Sequence, residues 1–164
     1  RDIGASMSPM NAFLLLQGIE TLSLRMDKHM SNTRELLDYL SNHEQVSWVN
    51  HPSLPSHSSH ELAQKYLPKG AGSIISFGVK GGREAGKAFI EACELASHLA
   101  NVGDAKTLII HPATTTHSRI DAAALEAAGI TEDMIRLSVG LEDVADIKAD
   151  FDAGFRAARR VAAS

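Results

Sequence analysis

The chain has 164 residues, of which 44% are hydrophobic and 22% charged, and its formal charge is −4. That suits one globular domain with a real core, and it lacks the basic surplus that nucleic-acid binding calls for. The lone cysteine, Cys93, excludes an internal disulfide and fits a reducing, cytoplasmic setting, and no apolar run reaches the ~18 residues of a membrane span.

The opening Arg1-Asp2-Ile3-Gly4 is no signal peptide, since no apolar stretch follows a charged start. No initiator Met is present, which we read as a cut chain. Ser8-Pro9 reads as an N-cap with Pro at the first helical position. The helix that follows runs from about Met10 to Leu40, with Phe13, Leu14, Ile19, Leu22, Met26, Met30, Leu36, Leu37 and Leu40 at near-helical spacing. Gly18 is placed to bend it. Such a length predicts a spine reaching between two domains; the alternative is two ordinary helices broken near Ser31-Asn32.

Val46–Val49 is a short strand candidate, and the Ser- and Pro-rich residues 50–59 form a loop. His60–Tyr66 is a short helix stopped by Pro68 and Gly70. Ser73–Val79 is a strand. Gly81-Gly82 turns into a helix over about Arg83–Ala96, Thr107–Ile110 is a strand, Asp121–Ala128 a short helix, and Ile135–Val139 the last strand. Asp143–Ala162 is an amphipathic helix through Val144, Ile147, Phe151, Phe155 and Val161. The order predicts an α+β domain: one sheet of about four strands, mainly antiparallel, with helices on one face. There is no repeat, low-complexity tail or charge block.

Few residues suggest chemistry. Eight histidines are present, and His51, His57 and His60 lie close together in a loop, while His111 and His117 bracket another. No cysteine pair or HExxH spacing supports a metal site, and histidines in the Ser- and Pro-rich segment are expected to be exposed. No Gly-x-Ser-x-Gly elbow is present, and Gly78-Val-Lys-Gly-Gly82 is too short for a phosphate loop. One arginine is unusual. Arg136 lies inside the apolar strand Ile135-Arg-Leu-Ser-Val-Gly140. A half-buried cation is costly unless paired, and the planar guanidinium suits a ligand carboxylate. The alternatives are a structural pair with Asp or Glu, or an outward-facing strand position.

Asn101-Val-Gly-Asp-Ala-Lys-Thr-Leu-Ile-Ile-His-Pro-Ala-Thr-Thr-Thr-His117, followed by Ile135-Arg-Leu-Ser-Val-Gly-Leu-Glu-Asp143, resembles the Cys/Met-metabolism pyridoxal-phosphate enzymes. That family includes cystathionine synthases and lyases, methionine γ-lyase and the O-acetylhomoserine sulfhydrylases. Ser8–Met26, Lys65-Tyr-Leu-Pro-Lys-Gly70 and Ser97-His-Leu-Ala-Asn-Val-Gly103 are similar to the same family, so the resemblance covers essentially the whole chain. Asn-Ala-Phe-Leu-Leu-Leu-Gln-Gly, the Lys65–Gly70 stretch and the residues around Asn101 resemble the sulfhydrylase branch.

The resemblance implies the smaller, carboxy-terminal domain of a fold type I enzyme. Residues 1–42 would be an inter-domain spine helix and 43–164 the domain that closes over substrate. The Schiff-base lysine of the family follows Ser-x-Thr; no lysine here does, so the cofactor-binding domain is expected to be absent from this chain, with no catalytic or cofactor-binding residue in it. Arg136 matches the arginine that grips the substrate α-carboxylate. Asn101 matches the position beside it, where lyases carry Ser. Thr114–Thr116 lie in a loop near the site and receive no role. In the complete enzyme, pyridoxal phosphate would serve as an electron sink while acetate leaves O-acetylhomoserine and sulfide replaces it, giving homocysteine. The resemblance also implies a homotetramer, while composition and hydropathy predict a cytoplasmic protein with no nucleic-acid or membrane partner. Another family member (O-succinylhomoserine sulfhydrylase, cystathionine γ-synthase or γ-lyase) and a non-catalytic binding module remain as alternatives.

Overall fold

The computed structural model describes residues 4, 6–117 and 121–163; the opening Arg1-Asp2-Ile3 lies outside the described residues. Ser8 caps the first helix, α1 (Pro9–Glu20), its hydroxyl accepting from the Asn11 amide at 3.2 Å, with Pro9 at the first position. The expected continuous spine is interrupted. A second helix, α2, spans Leu22–Ser41, and Thr21 between the two sits at φ −103°, ψ 5°. The break falls neither at Ser31-Asn32 nor at Gly18 itself. Gly18, Ile19 and Thr21 are weak helix formers in close succession. The Gly18 carbonyl is taken by the Arg25 side chain, which satisfies a group that the break would otherwise leave open.

Five strands form one sheet, one more than expected: β1 (Val46–Asn50), β2 (Ile74–Val79), β3 (Ser97–His98), β4 (Leu108–Ile110) and β5 (Met134–Ser138), in the spatial order β1-β2-β5-β4-β3. All neighbours pair antiparallel except β3 with β4. The two-residue β3 carries no alternation long enough to be read from sequence. It lies within Ser97–Gly103, a stretch that carried the family resemblance but no strand pattern.

The helices α3 (His60–Tyr66), α4 (Gly82–Ala92), α5 (Ala122–Ala127) and α6 (Val144–Ala162) complete the fold. Ile75, Phe77 and Val79 of β2, Ile135 and Leu137 of β5 and Ile109 of β4 form one apolar face. Leu36, Leu37 and Leu40 of α2, Phe89 and Ile90 of α4, and Ile147, Phe151 and Phe155 of α6 cover it. Phe89 is the hub of this layer, with ring centroids 5.8 Å from Phe77, 5.6 Å from Phe151 and 4.7 Å from Phe155. Gly154 makes that approach possible, since a Cβ there would lie 2.7 Å from the Phe89 ring.

α4 ends earlier than expected. The Asp150 carboxylate of α6 accepts the amides of Glu94, Leu95 and Ala96 at 2.7, 3.1 and 3.0 Å, so these residues bond across the helix pair and not along α4. None of the residues of α1 is buried; Met10, Phe13, Leu14, Leu15, Leu16 and Ile19 are all more than half exposed.

Candidate functional site

Alternation along β5 sends Ile135 and Leu137 into the core and turns Arg136 to the reverse face of the sheet. Its cross-strand partners are Ser76 on β2 and Ile110 on β4, and Asn50 of β1 lies in the same row. Arg136 is half-buried. Among the described residues no carboxylate pairs with it; its one polar contact is from Nη1 to the Asn101 carbonyl, at 3.5 Å. That length is at the outer edge of hydrogen bonding, so the planar fork keeps donors for something else.

Asn101 thus stands beside Arg136, as a pair that the sequence places 35 residues apart. The contact is through its main chain. The side-chain Oδ1 accepts the Val102 amide at 2.9 Å, and the Nδ2 donors bond to nothing among the described residues. A guanidinium and a side-chain amide, both with free donors on neighbouring residues, are groups that a carboxylate can accept from.

The turn that carries Asn101 is anchored at Thr107, which is fully buried. The Ser97 amide donates to the Thr107 carbonyl at 2.9 Å and closes the loop at its base. Glu142, just beyond β5, accepts the Thr107 amide at 2.7 Å and the Thr107 hydroxyl at 2.8 Å, one carboxylate oxygen to each. Asn32 of α2 donates to the carbonyls of Gly140 and Glu142 at 3.0 and 2.8 Å, and His29 Nδ1–H donates to Val139 at 2.7 Å. Sequence reading missed these residues as a group. The signal was that Thr107, Gly140 and Glu142 all lie in the two stretches that carried the resemblance, while Thr107 and Glu142 are polar residues flanking apolar strands.

Thr114 and Thr115 belong to a 3-10 turn and its end, and are bound up with His111. His111 is buried. Its Nε2–H donates to the Glu132 carbonyl at 2.7 Å, and Nδ1 lies 2.8 Å from the Thr114 hydroxyl. Burial pushes its pKa down, reinforced by the Arg83 charge, with the Glu132 and Asp133 side opposing. His51 is buried too. Its Nδ1 accepts from the Ser53 amide at 3.1 Å, its Nε2–H donates to the Gly72 carbonyl, and burial lowers its pKa. Among the described residues no three of His, Cys, Asp and Glu are grouped to hold a metal ion.

A cavity of about 720 Å³ opens between α2 and the 51–72 segment, lined by Thr33, Arg34, His51, Leu54, Ala63 and Leu67 among others. Neither Arg136 nor Asn101 lines it.

Of the lysines, Lys148 pairs with Glu35, Lys87 with Glu91, and Lys65 lies over the Tyr66 ring; none follows Ser-x-Thr. The described residues therefore lack a lysine in the context that a pyridoxal phosphate cradle needs.

Residues 1–156 match the family model described as "Cys/Met metabolism PLP-dependent enzyme". The chain is 52% identical over 151 residues to homocysteine synthase from Schizosaccharomyces pombe, covering 92% of this chain and 35% of that protein. It is 51% identical over 150 residues to O-acetyl-L-homoserine sulfhydrylase 1 from Thermus thermophilus, covering 92% and 36%. Among solved structures it is similar to cystathionine γ-synthase from Xanthomonas oryzae bound to cystathionine, with a TM-score of 0.84, 36% identity, and coverage of 98% of this chain and 41% of that one. A Campylobacter jejuni structure assigned as an O-acetylhomoserine (thiol)-lyase, which carries a pyridoxyl-lysine phosphate, gives a TM-score of 0.84 at 43% identity, covering 95% and 37%. The chain spans a little over a third of the length of the curated relatives it matches.

Proposed function

Since the chain belongs to the Cys/Met-metabolism family of pyridoxal-phosphate-dependent enzymes, we propose that it is the carboxy-terminal part of an O-acetylhomoserine sulfhydrylase. The complete enzyme makes homocysteine and acetate from O-acetylhomoserine and sulfide. The names of the relatives support the branch: they are more similar (51–52% identical) than the cystathionine γ-synthase of equal fold (36%). Pyridoxal phosphate, held elsewhere in that enzyme, supplies the electron sink for the reaction.

The observation that carries this part's role is Arg136, a half-buried guanidinium without a carboxylate partner among the described residues. It binds the α-carboxylate through two parallel N–H···O bonds, and the Asn101 amide donates a third. The substrate's reacting carbons are thereby held at a fixed distance and angle from the sheet, which is positioning and not proton transfer. On this reading residues 1–42 are the inter-domain spine and 43–164 the substrate-closing domain. The assembly is a cytoplasmic homo-oligomer, a tetramer in the full-length enzyme; among the described residues no helix is long and apolar enough to cross a membrane.

Arg136→Lys in the complete enzyme tests it. Lys keeps the charge and loses the fork, so kcat/KM for O-acetylhomoserine should fall about 10- to 100-fold, with thermal stability nearly unchanged. An unchanged kcat/KM would remove Arg136 from the site. Turnover of O-succinylhomoserine in preference to the acetyl ester would reassign the branch.

A further inference from the structure

We infer that Glu142 and Thr107 are positioning residues for the carboxylate site, a clamp that sets the distance between Asn101 and Arg136. The inference rests on the carboxylate reading above. Arg136 and Glu142 belong to the same run of chain through β5, whereas Asn101 comes from the loop between β3 and β4. Among the described residues that loop touches the β5 run at three places. Asn101 meets Arg136, the Ala105 carbonyl accepts the Leu141 amide at 2.8 Å, and Thr107 meets Gly140 and Glu142. The first contact is long, the second is a single neutral backbone bond, and the last is charge-assisted at both Glu142 oxygens, so the last one holds the loop most firmly.

Both Glu142 oxygens are used by Thr107, and the Thr107 hydroxyl in turn accepts the Gly140 amide at 3.0 Å. Asn32 holds the far side by taking the Gly140 and Glu142 carbonyls, which ties the β5 exit to α2. The backbone fits so closely that a Cβ on Gly140 would lie 2.3 Å from the Thr107 nitrogen and 2.4 Å from the Lys106 carbonyl carbon. Loop and strand exit are thus in main-chain contact. From that anchor residues 99–103 run exposed to solvent. Releasing the anchor would let Asn101 drift from Arg136 while leaving the core strands untouched.

The test is made in the complete enzyme with Glu142→Ala, Glu142→Gln, Arg136→Lys and the double variant Arg136→Lys/Glu142→Ala. For Glu142→Ala, KM for O-acetylhomoserine should rise about 10-fold with a smaller fall in kcat, as for loss of a charge-assisted bond that acts on binding geometry. Glu142→Gln, whose Oε1 still accepts the Thr107 amide, should recover most of it. The double variant should lose less than the sum of the two, because both changes act on one carboxylate. Independently of turnover, amide exchange at 101–107 should quicken in Glu142→Ala while Ile135 and Leu137 stay protected. Unchanged loop exchange, an unchanged KM, or strict additivity would overturn the inference. If Arg136→Lys raises KM and Glu142→Ala does not, only the clamp falls; if Arg136→Lys itself leaves KM unchanged, the carboxylate reading falls and takes the clamp with it. Should Glu142→Ala fail to fold, Thr107→Val removes the hydroxyl's bonds to Glu142 and Gly140, keeps the Thr107 amide bond to Glu142, and is judged by the same exchange and KM criteria.

Discussion

Gly140 and His111 show how single residues constrain this fold. At Gly140 the constraint is space. A methyl group there would meet the Lys106–Thr107 backbone and the Glu142 carboxylate, and the backbone cannot swing aside as a side-chain tip would. Gly140→Ala should therefore destabilise by about 1–3 kcal/mol, read from urea melts, in the range of overpacked sites. At His111 the constraint is charge. The ring is buried, with Arg83 adding to its depressed pKa and Glu132 and Asp133 opposing. The unfolded chain binds that proton more readily than the folded one, so stability is fully present above the ordinary histidine value of ~6.5 and is lost as pH falls below it. His51 and His43 are also pushed down by burial and act in the same sense. The melting temperature should drop between pH 7 and pH 5, and His111→Gln should flatten that slope; a melting temperature constant over the range would refute the assignment. The Ser- and Pro-rich loop around His51 predicts exposure, yet His51 is buried. Burial of a loop histidine depends on which distant carbonyl its ring meets, Gly72 for His51 and Glu132 for His111, and no local pattern carries that.

Elements were legible where periodicity or punctuation is local. The expected His60–Tyr66 helix matches α3 to the residue, and β1, β2, β4, β5 and α6 match within a residue or two at either end, because Gly, Pro and Asp143 mark their ends. Errors arose where a partner distant in sequence decides. The helix expected over 83–96 ends at Ala92 although Ala92–Ala96 has helical composition, because the α6 carboxylate of Asp150 diverts the next amides. Asp150→Ala should cost about 1–2 kcal/mol, less than three buried charge-assisted bonds would, because Glu94 and Leu95 are exposed and water can replace part of the loss. Asp150→Asn, which keeps an acceptor, should recover some of it. Equal stability of Asp150→Ala and the parent would mean that the α4 end is held by packing alone. The expected continuous spine is interrupted at Thr21 for a related reason, since weak helix formers cluster there but the satisfied Gly18 carbonyl appears only in three dimensions.

At the scale of the molecule, the helix layer α2–α4–α6 accounts for the core, and α1 stands outside it. Its apolar residues surround the helix instead of lining one stripe, so one neighbouring surface could not cover them all. Such a helix in water recruits partners. The 164-residue chain by itself should self-associate at micromolar concentration in sedimentation runs, and Phe13→Glu with Leu16→Glu should shift it toward monomer. A strict monomer with residues 10–20 protected from exchange would contradict this. The site was legible in part: Arg136 stood out as a cation among apolar residues and Asn101 through the resemblance, but their proximity is a product of the sheet order, which no spacing encodes.

That order has a consequence in time. The strand at the centre of the sheet, β5, is the last to leave the ribosome. Until Ser138 has emerged, β2 and β4 are each paired on one side only and have nothing between them, although β1 and β2 can already meet. Their facing edges are then unpaired strand templates, open to the wrong neighbour. Nascent chains that end before Met134 should engage holding chaperones and resist native-like protection, and the sheet should close in one late step once the strand carrying Arg136 arrives.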